Sequence, residues 1–348
     1  MTSIHSILAA TDFSVDGHNA ARRAALLAHE LGARLRVLHV LNAAGRKLPR
    51  GWFSPKPDAD LDGAQARDAL RRLAVEISGA YDVTASVEVA VGGPFETLMQ
   101  ASEHADLVVL GRRAQGRLKG WLESPTVDRM LRTCRRPVLV VRRPVQGSYG
   151  RVLAPIDFTA TSDAAIRVAH QMRRETGLHV FHAVESHRDA VLRDADVPEH
   201  VIRETRLMEE GEIRARMRRK VAGLGLDSTP MNHALAYGPP ARSILRHADR
   251  LAADLIVAGK QGRPTWRSLF LGGVGSRVLS EASCDMLIVP QPRETSPLQA
   301  AETVTPRRDS ASCPHDAALA KSAAAHAGAS TRGHWIHNKA RFVSRRAS

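Results

Sequence analysis

The chain has 348 residues, 43% of them hydrophobic, and a formal net charge of +14. This length fits two or three globular domains, and no apolar stretch approaches the roughly 20 residues of a membrane-spanning helix. Three cysteines (Cys134, Cys284, Cys313) without CxxC spacing argue against a disulfide framework and a zinc site, and no basic-then-apolar leader opens the sequence, so a cytoplasmic setting is expected.

The first expected strand covers 4–10 and runs into Thr11-Asp12-Phe13-Ser14. Apolar residues at three- and four-residue spacing predict a helix over 20–31, with Gly32 placed for a left-handed cap. A strand at 35–41 follows, then a Pro/Gly-rich loop over 42–62 and a helix over 64–79. A third strand at 84–91 precedes Gly93-Pro94, which starts another helix. The fourth strand, 106–110, leads through a glycine-bearing loop and a helix to a last strand at 138–141. Residues 142–150, with Pro144, Gly147 and Gly150, read as a linker. The same order then returns. It comprises strand 151–156, helix 164–176 with Gly177 at its end, strand 179–184, a long charged helix over 198–221, strand 231–237, Gly238-Pro239, strand 254–258 and strand 286–289.

The recurrence is literal in places. Asp12-Phe13-Ser14 answers Asp157-Phe158-Thr159, Gly93-Pro94 answers Gly238-Pro239, and Asp106-Leu107-Val108-Val109 answers Asp254-Leu255-Ile256-Val257. The offset is 145 at the first two matches and 148 later, which marks duplication of one domain. Near-continuous apolar strands alternating with helices predict an α/β fold: two tandem Rossmann-like, doubly wound parallel-sheet domains. The expected boundaries are 1–146 and 147–292, followed by a basic, disordered tail at 293–348, poor in branched apolar residues. Trp335 and Phe342 among basic residues make that tail the one expected route to nucleic acid.

Open parallel sheets bind ligands at the carboxyl ends of their strands, where the strand order reverses. In the second half, Asp157 ends the first strand and Ala183 lies near the end of the second. The loop after the fourth reads Gly259-Lys260-Gln261-Gly262, then nine residues, then Gly272-Gly273-Val274. Glycines let a backbone approach a phosphate, and a helix start adds its positive end. The spacing is neither a Walker A loop nor a dinucleotide fingerprint. Tight turns and helix–strand packing are the competing explanation for the glycines.

These residues resemble the universal stress protein family, in tandem form, over residues 3–290. The family signature is G-x2-G-x9-G-(S/T) after a strand ending D-L-I-V-x-G. Gly259, Gly262 and Gly272 satisfy its glycines, while Gly273 replaces the hydroxyl residue. The resemblance implies ATP or a related adenine nucleotide, with or without Mg, as a regulatory ligand, and no tightly bound prosthetic group. It implies that Asp157 and the backbone near Ala183 hold the adenosine. Gly259 and Gly262 would line the ribose and phosphates, and Gly272, Gly273 and Val274 would receive the phosphates. In the first half Asp12, Val40 and Gly111 remain, but Ala114, Ser124 and Pro125 replace the rest of the signature. Pro125 also lacks the N–H that would face a phosphate. Arg112, Arg113, Arg117 and Lys119 stand nearby as an alternative cationic clamp.

The resemblance further implies an internal pseudo-dimer formed through the last strands, with a further homodimer and an unidentified protein partner left open. No GxSxG elbow or HExxH pattern is present, so no catalytic or metal-binding residue is assigned. A nucleotide-independent scaffold and a slow ATP hydrolase are the alternative functions. His39 and His182, at matching places, read as core or edge histidines, and Cys134 and Cys284 as small apolar fillers.

Overall fold

The computed structural model describes residues 3–42, 59–112, 125–173, 177–185, 195, 197–226, 231–260 and 273–291. The expected tail at 293–348 and most of the loop at 42–62 lie outside the described residues. The first half runs β1 (Ser6–Ala10), α1 (Val15–Leu31), β2 (Arg34–Asn42), α2 (Ala59–Tyr81), β3 (Ala85–Gly92), α3 (Pro94–Ser102), β4 (Leu107–Gly111), α4 (Pro125–Thr133) and β5 (Val138–Val141). The second runs β6 (Val152–Ile156), α5 (Ala160–Met172), β7 (Leu178–Val184), α6 (Glu199–Ala222), β8 (Met231–Tyr237), α7 (Pro240–Leu251), β9 (Leu255–Gly259), α8 (Gly273–Glu281) and β10 (Asp285–Val289).

The ten strands of the described residues form one sheet in the order β3-β2-β1-β4-β5-β10-β9-β6-β7-β8. Each half is parallel throughout, and its order reverses between β1 and β4, or between β6 and β9. The halves join through one antiparallel pair, β5 with β10, in which Leu139 faces Leu287. Those two leucines are equivalent in the repeat, so the pseudo-two-fold passes between them. An internal pseudo-dimer is therefore what the two halves make, and pairing the last strands removes two exposed edges.

Alternate strand residues feed two cores, one per face. Ile7 and Ala9 pack with Ala20, Ala24, Leu27 and Ala28 of α1 and with α2. Leu8 belongs to the opposite face with Leu98 of α3 and Met130 and Leu131 of α4. Helix α1 begins five residues before the expected start because the Ser14 hydroxyl caps it, accepting from the Gly17 N–H at 3.1 Å. Thr159 does the same for α5, accepting from Ser162 N–H at 3.3 Å. Gly32 adopts the expected left-handed cap, at φ 61°.

Gly177 does not adopt a left-handed conformation, and the expectation of a cap there is corrected. Its missing side chain instead makes room for the Gly150 carbonyl, and its own carbonyl accepts from Val152 N–H at 2.7 Å. The repeated Asp before the fourth strand also has a structural task. Asp106 Oδ2 accepts from His5 N–H and Ser6 N–H, both at 3.0 Å, and from the Ser6 hydroxyl at 2.8 Å. Asp254 Oδ2 accepts from Gly150 N–H at 3.2 Å and Arg151 N–H at 2.9 Å. Each carboxylate thus ties the entry of one strand to its neighbour.

The junction carries a buried polar cluster. Asp285, 2% exposed, accepts from the Tyr149 hydroxyl at 2.6 Å and from Arg142 N–H at 2.8 Å. Arg23 Nε lies 3.7 Å from Oδ2, the oxygen that accepts from Tyr149, and the Arg23 guanidinium stacks 4.1 Å above the Tyr149 ring. Burial pushes the Asp285 carboxyl up, while the Tyr149 hydroxyl, backbone N–H groups and Arg23 pull it back. The Arg142 guanidinium, pulled down to about 10 by burial, donates to the Leu279 and Ala282 carbonyls at the end of α8.

Candidate functional site

The turn after the first strand of each half is built the same way. Asp12 Oδ1 accepts from Ser14 N–H at 3.0 Å and from the Ser14 hydroxyl at 2.5 Å. Asp157 Oδ1 accepts from Thr159 N–H at 3.1 Å and from the Thr159 hydroxyl at 2.6 Å. The intervening Phe13 and Phe158 sit at φ 62° and 63°, a conformation that costs a non-glycine residue about 1–3 kcal/mol. The local aspartate bonds hold it there. His39 Nδ1 lies 2.9 Å from the Thr11 carbonyl oxygen, with its ring 4.4 Å from that of Phe13. His182 repeats this at 2.8 Å from Ile156 O and 4.7 Å from Phe158.

In the second half this turn opens onto a cavity of about 550 Å³ at the carboxyl ends of β6, β7 and β9. Asp157, Ala183, Gly259, Gly273 and Val274 all line it. Apolar walls come from Ile156, Ile244, Val278 and Ile288, and polar groups from Asp157, His182, Glu185 and Lys260. Helix α8 starts at the cavity, and its first turn carries no acidic residue. The N-terminal N–H groups and positive dipole end of a helix make that rim receptive to an anion.

The first half differs at the same place. Asp128 lies in the first turn of α4 and forms an ion pair with Arg112 at 3.1 Å, both side chains being about four-fifths buried. The repeat offset puts Ser276 and Lys260 at these two positions in the second half. A side-chain carboxylate thus already answers the start of α4, and it occupies the one described arginine of the expected clamp. Arg113, Ala114, Arg117, Lys119 and Ser124 lie outside the described residues.

Residues 3–142 and 148–290 each match the Universal stress protein family. The chain belongs to that family.

A universal stress protein from Mycolicibacterium smegmatis is 26% identical over 298 residues, spanning 82% of this chain and 97% of its own length. Universal stress protein E of Escherichia coli K12 is 22% identical over 327 residues, spanning 86% and 98%. Among solved structures, a universal stress protein from Archaeoglobus fulgidus superposes with a TM-score of 0.61 at 20% identity, covering 82% of this chain and 98% of its own. The solved structure shows the same fold across both halves.

Gly262 and Gly272 lie outside the described residues. Gly259 lines the cavity but also has a packing reason to be glycine, since a Cβ there would meet Thr161 O and Cγ2 at 2.8 Å. Gly111 has the same reason in the first half, against the Asp16 carbonyl. At Gly273, among the described residues, nothing lies within 4 Å of an added Cβ. Sequence reasoning missed His182, Glu185 and Lys260 as lining residues. The position of His182 two residues before Val184, beside Ala183 at the end of β7, was the available signal. Cys134 and Cys284 are both buried, and burial pushes the Cys284 thiol up to about 11.

Proposed function

We propose that the second half binds an adenine nucleotide, ATP or a relative, as a regulatory ligand of a stress-response protein, and that the first half supports it. The observation that carries this reading is the convergence of Asp157, Ala183, Gly259, Gly273 and Val274 on one cavity. Its volume, about 550 Å³, falls within the roughly 300–1,000 Å³ of small-molecule sites. The group fits the residues present. Asp157 and Glu185 are acceptors for a nucleoside, Ile156 and Ile244 are apolar walls, and Lys260 and the start of α8 are anion partners. Asp157 and the Ala183 backbone would hold the nucleoside, while Gly273 and Val274 would receive the phosphates, with Mg as a counter-ion where the phosphate chain is long. In the first half Asp12, Val40 and Gly111 persist without a free anion site at α4, so it is not assigned a ligand.

The test is isothermal calorimetry or equilibrium dialysis of the full chain with ATP, ADP and AMP. Saturable binding is expected. No heat and no retention at millimolar ligand would sink the proposal. A nucleotide-independent scaffold is the second reading, and the packing role of Gly259 favours it because that glycine then needs no ligand. It predicts no nucleotide in natively purified protein. Product release over hours from protein free of contaminating ATPase would distinguish slow hydrolysis from binding alone.

A further inference from the structure

Lys260 is the first residue past β9, lines the second-half cavity, and is half-buried. Its ammonium donates across the junction to the Arg132 carbonyl, in the last turn of α4. The equivalent Arg112 of the first half stays home and pairs with Asp128. Arg142 makes the reciprocal contact, from the end of β5 to the last carbonyls of α8. Both helices that end at the junction are thus capped by a cation from the opposite half, through residues that are not equivalent in the repeat. Arg142 is committed, buried and bonded to two carbonyls. Lys260 is not: among the described residues its bonding partner is one neutral carbonyl, and burial holds its ammonium below the usual range.

A lysine has three donors on a flexible stem, and a charge-assisted bond to an anion is roughly twice as strong as one to a neutral acceptor. An anionic group in the cavity therefore outcompetes the Arg132 carbonyl for the same ammonium. We propose that Lys260 reads the charge of the cavity's ligand and couples its occupancy to helix α4 of the other half. With the cavity empty it caps α4; with a phosphate-bearing ligand it turns onto the phosphate and leaves the α4 end uncapped. Cations at helix C-termini stabilise the last turn, so that turn loosens when the ligand binds. This rests on the nucleotide reading of the cavity and adds to it both a specificity residue and a direction of signalling.

The experiment uses the full chain with adenosine, AMP and ATP as probes, in the parent, Lys260→Met and Lys260→Arg. Calorimetry is expected to show Lys260→Met binding ATP about tenfold more weakly, with adenosine affinity unchanged, and Lys260→Arg restoring most of the loss. Hydrogen exchange is expected to show the Cys134 amide, which donates to the Met130 carbonyl at 2.8 Å, exchanging faster on ATP addition in the parent. Lys260→Met should exchange fast there with or without ATP. Parent-like ATP affinity in Lys260→Met, or α4 exchange that ignores ATP in a parent that binds it, overturns the inference and leaves the nucleotide reading standing. A parent that binds none of the three probes overturns both.

Discussion

Replacing Asp285 by Ala gives the largest single-residue effect that the junction predicts. The carboxylate is fully buried with Tyr149 and Arg23, which are 1% and 5% exposed. Its removal strands the Tyr149 hydroxyl, the Arg142 and Arg143 N–H groups and the Arg23 charge, at 2.6, 2.8, 3.3 and 3.7 Å respectively. Removing one partner of a buried ion pair costs about 3–5 kcal/mol, because the other charge stays buried alone. The unpaired hydroxyl and N–H groups belong to the same network, so their costs are not added on top. For a unit of this size each kcal/mol moves Tm by about 2–4 °C, giving a fall of about 6–20 °C. Guanidinium titration and thermal melting of the full chain, followed by far-UV circular dichroism, measure it. Tyr149→Phe removes one donor only and should cost about 1.5–3 kcal/mol. Glu76→Ala, which breaks the exposed Arg22–Glu76 pair, is the control and should stay within about 1 kcal/mol of the parent. If Asp285→Ala falls in the same range as that control, the buried cluster does not hold the junction and the reasoning is wrong.

Acid should destabilise the protein starting below neutrality. Burial first, then a neighbouring arginine, holds the imidazoles of His170 and His233 below 6.5; burial, then His179 and Arg250, does so for His247, and burial alone for His179. The unfolded chain therefore binds these protons more readily, so their contribution is present above pH 6.5 and lost as pH falls below it; a Tm at pH 5.5 equal to that at pH 7.5 would contradict this. Gly111→Ala should cost about 1–3 kcal/mol by forcing β4 away from the Asp16 carbonyl, with chemical denaturation as the readout. Gly273→Ser meets no described residue within 4 Å and supplies the hydroxyl of the family signature, so it should tighten ATP binding in calorimetry severalfold at unchanged Tm.

Much of the architecture was readable because duplication and periodicity are local patterns. The 3.6-residue stripes placed the helices, and the repeat offset paired the strands. The candidate cavity was half-readable: Asp157 and Gly273 belong to motifs, and Ala183 follows from strand length. Glu185 and Lys260 were not found because lining a cavity leaves no mark in spacing, whereas the place of His182 beside Ala183 at the strand end was a signal not used. Gly177 was misread because a glycine after a helix usually serves a left-handed cap, whereas this one yields space to Gly150, a neighbour from another segment. Asp285 was not singled out in the sequence. Its partners Arg23 and Tyr149 come from α1 and the linker, and pairing over such separations has no sequence signature.

The Asp285 position shows what a fused chain permits. Its counterpart in the first half is Pro137, so the seam holds one carboxylate. In a dimer of identical subunits every substitution at the two-fold arrives twice, and a buried acid would be introduced as two like charges, each needing its own tyrosine and arginine. A single polypeptide releases each side of the seam to mutate alone. The antiparallel strand pair can keep its geometric symmetry while its chemistry becomes directional, with the second half supplying the acid and the first the arginine that faces it. That freedom is what lets Lys260 reach outward while Arg112 does not.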